Sequence, residues 1–143
     1  MNTRHPYAVP TRLTPRLKRV QAYWDGLLRG AATIPFWDDV KTTDLPDLVG
    51  HLFLIDVFGP QARYRFDQVG ADLTAAELNG LFLDETPLPR PFEFLASQCA
   101  ATVECALPTY FRKDGAALPY ARLVLPLWGE GRISMLLGVV DDA

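Results

Sequence analysis

The stretch HLFLIDVFGPQARYRFDQV, residues 51–69, decides how the rest of the chain is read. Its first half, His51 to Phe58, is a short and nearly continuous apolar run, as expected of a strand covered on both faces. Gly59-Pro60 then turns the chain. The second half, Arg63 to Val69, alternates, with Tyr64, Phe66 and Gln68 on one side and Arg63, Arg65 and Asp67 on the other. Together the two halves read as a hairpin. A second run of the two-sided kind, Arg132 to Val140 (RISMLLGVV), lies near the end of the sequence.

Between these landmarks, Ala71 to Asn79 holds small residues with Leu73 and Leu78 and stops at Gly80, which predicts one or two short helices. Leu81 to Arg90 is a proline-containing connector, and Pro91 to Cys105 predicts a longer helix with Phe92, Leu95, Ala96, Cys99 and Val103 on one face, ended by Pro108. Three strands follow. Thr109 to Arg112 leads into the Asp114-Gly115 turn; Pro119 to Trp128 carries Pro126, which argues for an edge or a bulge; Gly129-Glu130-Gly131 then turns into the last strand.

Upstream, residues 1–13 read as a flexible tail and 14–50 as a helix with its connector, leaving 51–143 as the core of the domain. Thr14-Pro15 supplies a cap and a first-turn proline, Leu13, Leu17, Val20, Trp24, Leu27 and Leu28 recur at threes and fours, and Gly30 supplies a stop. Residues 31–50 read as an ordered connector with at most one helical turn. One helix layer cannot cover both faces of a sheet whose strands are apolar on both. The amphipathic N-terminal helix, from this chain or from a partner, is the available second cover.

The whole sequence has 143 residues, 49% hydrophobic and 22% charged, which suits one domain with its own core. A formal net charge of -3 gives no overall electrostatic reason to bind nucleic acid, although Arg12, Arg16, Lys18, Arg19 and Arg29 concentrate positive charge near the start. Cys99 and Cys105 fall on different faces of one helix and read as small buried hydrophobes, which points to a reducing compartment. Residues 1–10 are polar, and no segment approaches the roughly 18 apolar residues needed to cross a bilayer, so a cytoplasmic protein is expected.

The order of elements, with several local features, resembles the PAS family and a bacterial single-domain subfamily of it. The features are Tyr23-Trp24 and Gly30, Ile34-Pro35, Asp44-Leu45-Pro46, the Leu52-Phe53-Leu54-Ile55-Asp56-Val57 strand, Tyr64-Arg65-Phe66 with Val69-Gly70, Leu78-Asn79-Gly80, Leu125-Pro126-Leu127, and Met135-Leu136-Leu137-Gly138-Val139. They span about residues 20–140. The resemblance implies an α+β PAS fold: a five-stranded antiparallel sheet in the order 2-1-5-4-3, helices on one face around a small cavity, and an N-terminal amphipathic helix that often mediates dimerisation. It implies sensing and regulation through protein contact. Flavin-binding relatives carry an Asn-Cys-Arg-Phe-Leu run where Ala71 to Asn79 has no cysteine, and haem-binding relatives carry a histidine where Pro91 to Cys105 has none. Neither cofactor is therefore expected, and an unknown small ligand stays open.

Chemistry finds few candidates. His51, the one histidine outside the tail, has no metal-ligand or catalytic spacing around it and reads as a structural residue. Asp38-Asp39 reads as a solvated turn, Ser97 and Ser134 lack a nucleophile context, and Gly129-Glu130-Gly131 opens no helix that could hold phosphate. Tyr64, Phe66, Phe94, Gln98, Tyr110, Tyr120 and Arg122 are expected to converge beneath the sheet as a ligand lining or as ordinary core. An inward Arg65 or Arg122 would need a carboxylate from the protein or a ligand. Leu17, Val20, Trp24 and Leu27 could pack on their own sheet or form a homodimer interface. The leading expectation is a non-catalytic PAS module regulating a signalling partner in trans, with tuning by a small ligand left open. The alternative is a small enzyme or ligand carrier on a cone-shaped α+β fold, which calls for a convergent histidine–carboxylate pair.

Overall fold

A computed structural model describes residues 7–59, 62–115 and 118–143. Pro60 of the expected turn and the first six residues of the tail lie outside the described residues. Five strands form one antiparallel sheet: β1 (Leu52–Phe58), β2 (Arg63–Val69), β3 (Thr109–Lys113), β4 (Tyr120–Gly129) and β5 (Arg132–Asp142), in the order β2-β1-β5-β4-β3. This is the order that the PAS resemblance implies. Two α-helices accompany it, α1 (Pro15–Gly26) and α2 (Leu95–Cys105).

Each face of the sheet has its own core. On the first, Phe53, Ile55, Phe66, Val124 and Leu136 pack with Phe92, Leu95 and Cys99 at α2. Phe92 stands edge-on to both Phe53 and Phe66, with ring centres 5.3 and 5.1 Å away. On the second, Leu17, Val20 and Trp24 of α1 pack with Leu45 and Leu48 on Leu52, Leu123, Leu125, Leu127, Leu137 and Val139. The second cover is thus supplied by this chain. Gly138 lets the sheet meet Phe53 closely, since a Cβ there would lie 2.0 Å from the Phe53 ring.

Pro126 sits in β4 beyond the end of β3, whose pairing with β4 stops at Val124, so its missing N–H removes no ladder bond. Its carbonyl accepts the Trp24 indole N–H at 2.8 Å, and two residues on the Trp128 N–H reaches Pro35 O. Both rims of the sheet are closed. Along β2, Phe66 N donates to Leu81 O and Gly80 N to Phe66 O; along β3, Tyr110 N donates to Tyr7 O at 2.8 Å.

Several elements differ from the sequence reading. α1 ends at Gly26 rather than near Gly30, as Leu27 N tightens onto Trp24 O. The connector holds three 3₁₀ turns, at Trp37–Asp39, Thr42–Asp44 and Val49–His51, instead of at most one. Ala71 to Asn79 contains turns and no helix; Thr74 Oγ1 accepts the Ala76 N–H, a local bond that competes with helix. α2 starts at Leu95 rather than Pro91 because Phe94 takes a left-handed φ of 59°. Its buried face carries Gln98 and Thr102, while Ala96 is exposed. Among the described residues no helix is long and apolar enough to cross a membrane.

Candidate functional site

Of the expected ligand-lining residues, six reach the α2 side of the sheet, and five are buried there. Tyr64, Phe66, Gln98, Tyr120 and Arg122 are buried, while Phe94 stays 62% exposed. Tyr110 goes to the α1 side, where it pairs opposite Leu123. Alternation along β3 gives its place beneath the sheet to Phe111, opposite Arg122.

Arg122 is completely buried, and no carboxylate of the described residues bonds to it. Its Nε donates to Gln98 Oε1 at 2.7 Å, Nη1 to Pro91 O at 2.7 Å and Nη2 to Glu93 O at 2.9 Å, and the guanidinium lies 4.6 Å from the Phe111 ring centre. Gln98 Nε2 in turn donates to Thr109 Oγ1, whose oxygen lies 2.6 Å from Thr102 Oγ1. Burial lowers the Arg122 pKa to about 10, so the group remains charged at neutral pH. The loop carbonyls held by Arg122 belong to Pro91 and Glu93, in the segment just before α2. Tyr120 donates its hydroxyl to Glu93 Oε1 at 2.6 Å. Tyr64, by contrast, has a shielded hydroxyl with no hydrogen-bond partner, and burial pushes its pKa up to about 12.

His51 does stand near a carboxylate, with Nε2 3.5 Å from Asp72 Oδ2. The small hollow beside them, about 120 Å³, is lined also by Arg16, Arg90, Tyr120 and Asp141 and contains no serine, threonine, cysteine or lysine.

Sequence reading missed a groove of about 390 Å³ on the α1 side of the sheet, at the corner that α1 leaves uncovered. It is lined by Trp37, Asp56, Val57, Phe58, Arg65, Asp67, Glu130, Arg132, Ser134 and Met135. Two bulges shape it. Leu54 pairs with Gln68 and Ile55 with Phe66, which leaves Asp67 unopposed and turns Gln68 to the face opposite Phe66, contrary to simple alternation. Leu127 pairs with Met135 and Trp128 with Ile133, which leaves Ser134 unopposed. Trp37 packs against Gly129, where a Cβ would be 2.4 Å from the indole and 2.6 Å from Ser134 Oγ.

Arg65 pairs with Asp56 at 2.9 Å and rests over the Phe58 ring, and Arg132 Nη1 donates to Val57 O at 2.8 Å. Among the described residues, Ser134 Oγ is shielded with no hydrogen bond, and neither the Asp67 nor the Glu130 carboxylate forms an ion pair, although Arg65 attracts Asp67. Burial, with Asp56 beside it, raises the Asp67 pKa above the ordinary carboxylate value, against the pull of Arg65. In the sequence, Gly129-Glu130-Gly131 read only as a turn between two strands, and nothing marked the spot.

No family model matches the sequence, and no curated protein matches it. Among solved structures, an RNA-binding light-oxygen-voltage receptor is similar over 64% of this chain, at 15% identity and a TM-score of 0.36. The chain spans 29% of that receptor's length, and a superposition of this quality bears on neither ligand nor partner.

Proposed function

We propose that this chain is a regulatory module of PAS-like fold that acts by contact with another protein rather than by catalysis. One observation carries this reading. With Leu17, Val20 and Trp24 closing the second face of the sheet, the chain still holds Trp37 and Phe58 in the open, at 47% and 37% exposure, beside a groove with unpartnered polar groups. Exposed aromatic anchors on a rigid sheet are characteristic of contact surfaces. The contact surface is placed at the groove rather than at the α1 stripe, since Leu17, Val20 and Trp24 face their own sheet and Leu27 is only half-buried beside them.

Incorporation of a photo-crosslinking residue at position 58 in cells tests the reading, with position 118, an exposed leucine away from the groove, as control. A defined adduct at 58 and none at 118 is expected; equal, diffuse labelling at both sites would refute it.

A second reading, modulation by a small ligand on the α2 side, is favoured by one atom, the unpartnered Tyr64 hydroxyl. Native mass spectrometry tests it: a small molecule released on denaturation from the wild type and not from Tyr64→Phe supports a ligand there, and a bare protein in both removes it.

A further inference from the structure

The groove repeats a pattern that the chain makes with its own residues, twice elsewhere and once within the groove itself. Arg29 lies over Phe36 and pairs with Asp39; Arg63 lies over Phe82 and pairs with Asp84; Arg65 lies over Phe58 and pairs with Asp56. In each case a guanidinium rests on an aromatic face with a carboxylate at its edge, an arrangement favoured by the ring's quadrupole and the planar fork of donors. Trp37, Glu130 and Asp67 offer an aromatic face and carboxylates in one groove, and no arginine of the described residues lies over the Trp37 ring or forms an ion pair with either carboxylate.

The charges favour the same occupant. Three carboxylates and two guanidinium groups line the groove, and Arg65 is already neutralised by Asp56 while Arg132 is directed to the backbone carbonyl of Val57. Arg65 also draws on Asp67, and three carboxylates against two guanidinium groups leave the groove a formal charge of -1, with Glu130 outside any ion pair of the described residues, so an incoming cation gains and an anion meets repulsion. The two bulges bring Asp67 and Ser134 to this spot, and bulges re-aim side chains next to functional sites. Phe58 and Met135 give the aliphatic stem of a long cationic residue an apolar bed.

We propose that the groove is a docking site for a basic segment of a partner protein, with one arginine side chain stacked on Trp37 and bonded to Glu130 and Asp67. The proposal rests on the reading of the chain as a contact module and adds the chemistry of what it contacts.

The test is a titration of the ¹⁵N-labelled full chain with a capped Gly-Arg-Gly-Arg-Gly peptide, followed at the Trp37 indole N–H, which Trp37→Phe identifies. The expected result is a saturable shift of that resonance, with Asp67→Asn and Glu130→Gln each weakening binding about tenfold, as for loss of one charge-assisted bond. The matching glutamate peptide should leave the resonance in place. These carboxylates form no ion pair among the described residues, so both variants should fold, and unchanged circular dichroism spectra check that. Shifts scattered over the surface and insensitive to both variants, or equal binding of the glutamate peptide, would overturn the proposal. The two readings fail separately. Peptide binding with no adduct at position 58 in cells would remove the regulatory reading and leave the docking chemistry. A partner crosslinked at position 58 whose contact withstands the double variant would do the reverse.

Discussion

Replacing Arg122 with lysine probes whether the α2-side interior is held by geometry or merely by charge. The guanidinium sends three nitrogens in diverging directions, to Gln98 Oε1, Pro91 O and Glu93 O. A single ammonium can serve one part of that set, which leaves about two acceptors without a donor. A buried acceptor left unsatisfied costs about 1–3 kcal/mol, so Arg122→Lys is expected to lose about 2–6 kcal/mol. At about 3 °C per kcal/mol for a domain of this size, the melting temperature should fall by roughly 6–18 °C. Urea unfolding, followed by both circular dichroism and tryptophan fluorescence, measures the loss. Arg122→Met supplies the companion measurement: it relieves the desolvation of a buried charge but orphans all three acceptors. The orphaned acceptors should dominate and leave the variant less stable than the wild type. If both variants unfold within about 0.5 kcal/mol of the wild type, water or other donors satisfy those carbonyls, and the network is not what positions the start of α2.

Four further outcomes follow from packing and ionisation. Trp24→Ala should lose about 3–5 kcal/mol, because the ring is buried against its own sheet, whereas Trp24→Phe should lose about 1 kcal/mol with the indole bond to Pro126 O; chemical denaturation separates the two. Gly138→Ala drives a methyl group into the buried Phe53 ring and should cost about 1–3 kcal/mol or more, read as a lowered melting temperature. Burial raises the Cys99 thiol to about 12, so iodoacetamide at pH 8 should add one label, at Cys105, to the native chain and two to the denatured chain, counted by mass. Tyr64, raised to about 12, keeps its proton in the fold where the unfolded chain releases it near pH 10; its contribution is full below pH 10 and is lost as pH rises toward 12. The urea midpoint should therefore fall above pH 10 more steeply in the wild type than in Tyr64→Phe.

The sheet was legible because its signals are redundant. Two-sided apolar runs at β1 and β5, an alternating β2 and turn residues between the last strands mark the strands themselves, while their order was what the PAS resemblance implied. Faces and boundaries were less legible. In a five-residue strand such as β3, which of Tyr110 and Phe111 turns inward depends on register with β4, and that register is a long-range property. The helix expected from Pro91 starts at Leu95, and the Pro91 carbonyl bonds to a residue 31 positions away, Arg122. The groove was invisible for a similar reason. Asp56 sits inside an apolar run, Trp37 lies in a connector, and Asp67 and Ser134 reach the same place only through bulges that no local pattern announces. Arg122 itself stood out in the sequence as a charge on an inward strand position. Its partners turned out to be an amide and two backbone carbonyls rather than a carboxylate.

The guarded rims of the sheet bear on how the protein behaves in a crowded solution. An open strand edge is a template on which further copies can add and grow into fibres. β2 is sealed by the chain that immediately follows it, a seal that cannot be lost without unfolding. β3 is sealed from afar, by a segment pinned through the Tyr7 hydroxyl to Ser97, before the first helix begins. Proteolytic trimming as far as Pro10 would take from the α1-side core only the partly buried Val9 and yet uncover one edge, so Tyr7 guards against polymerisation as well as packing the domain.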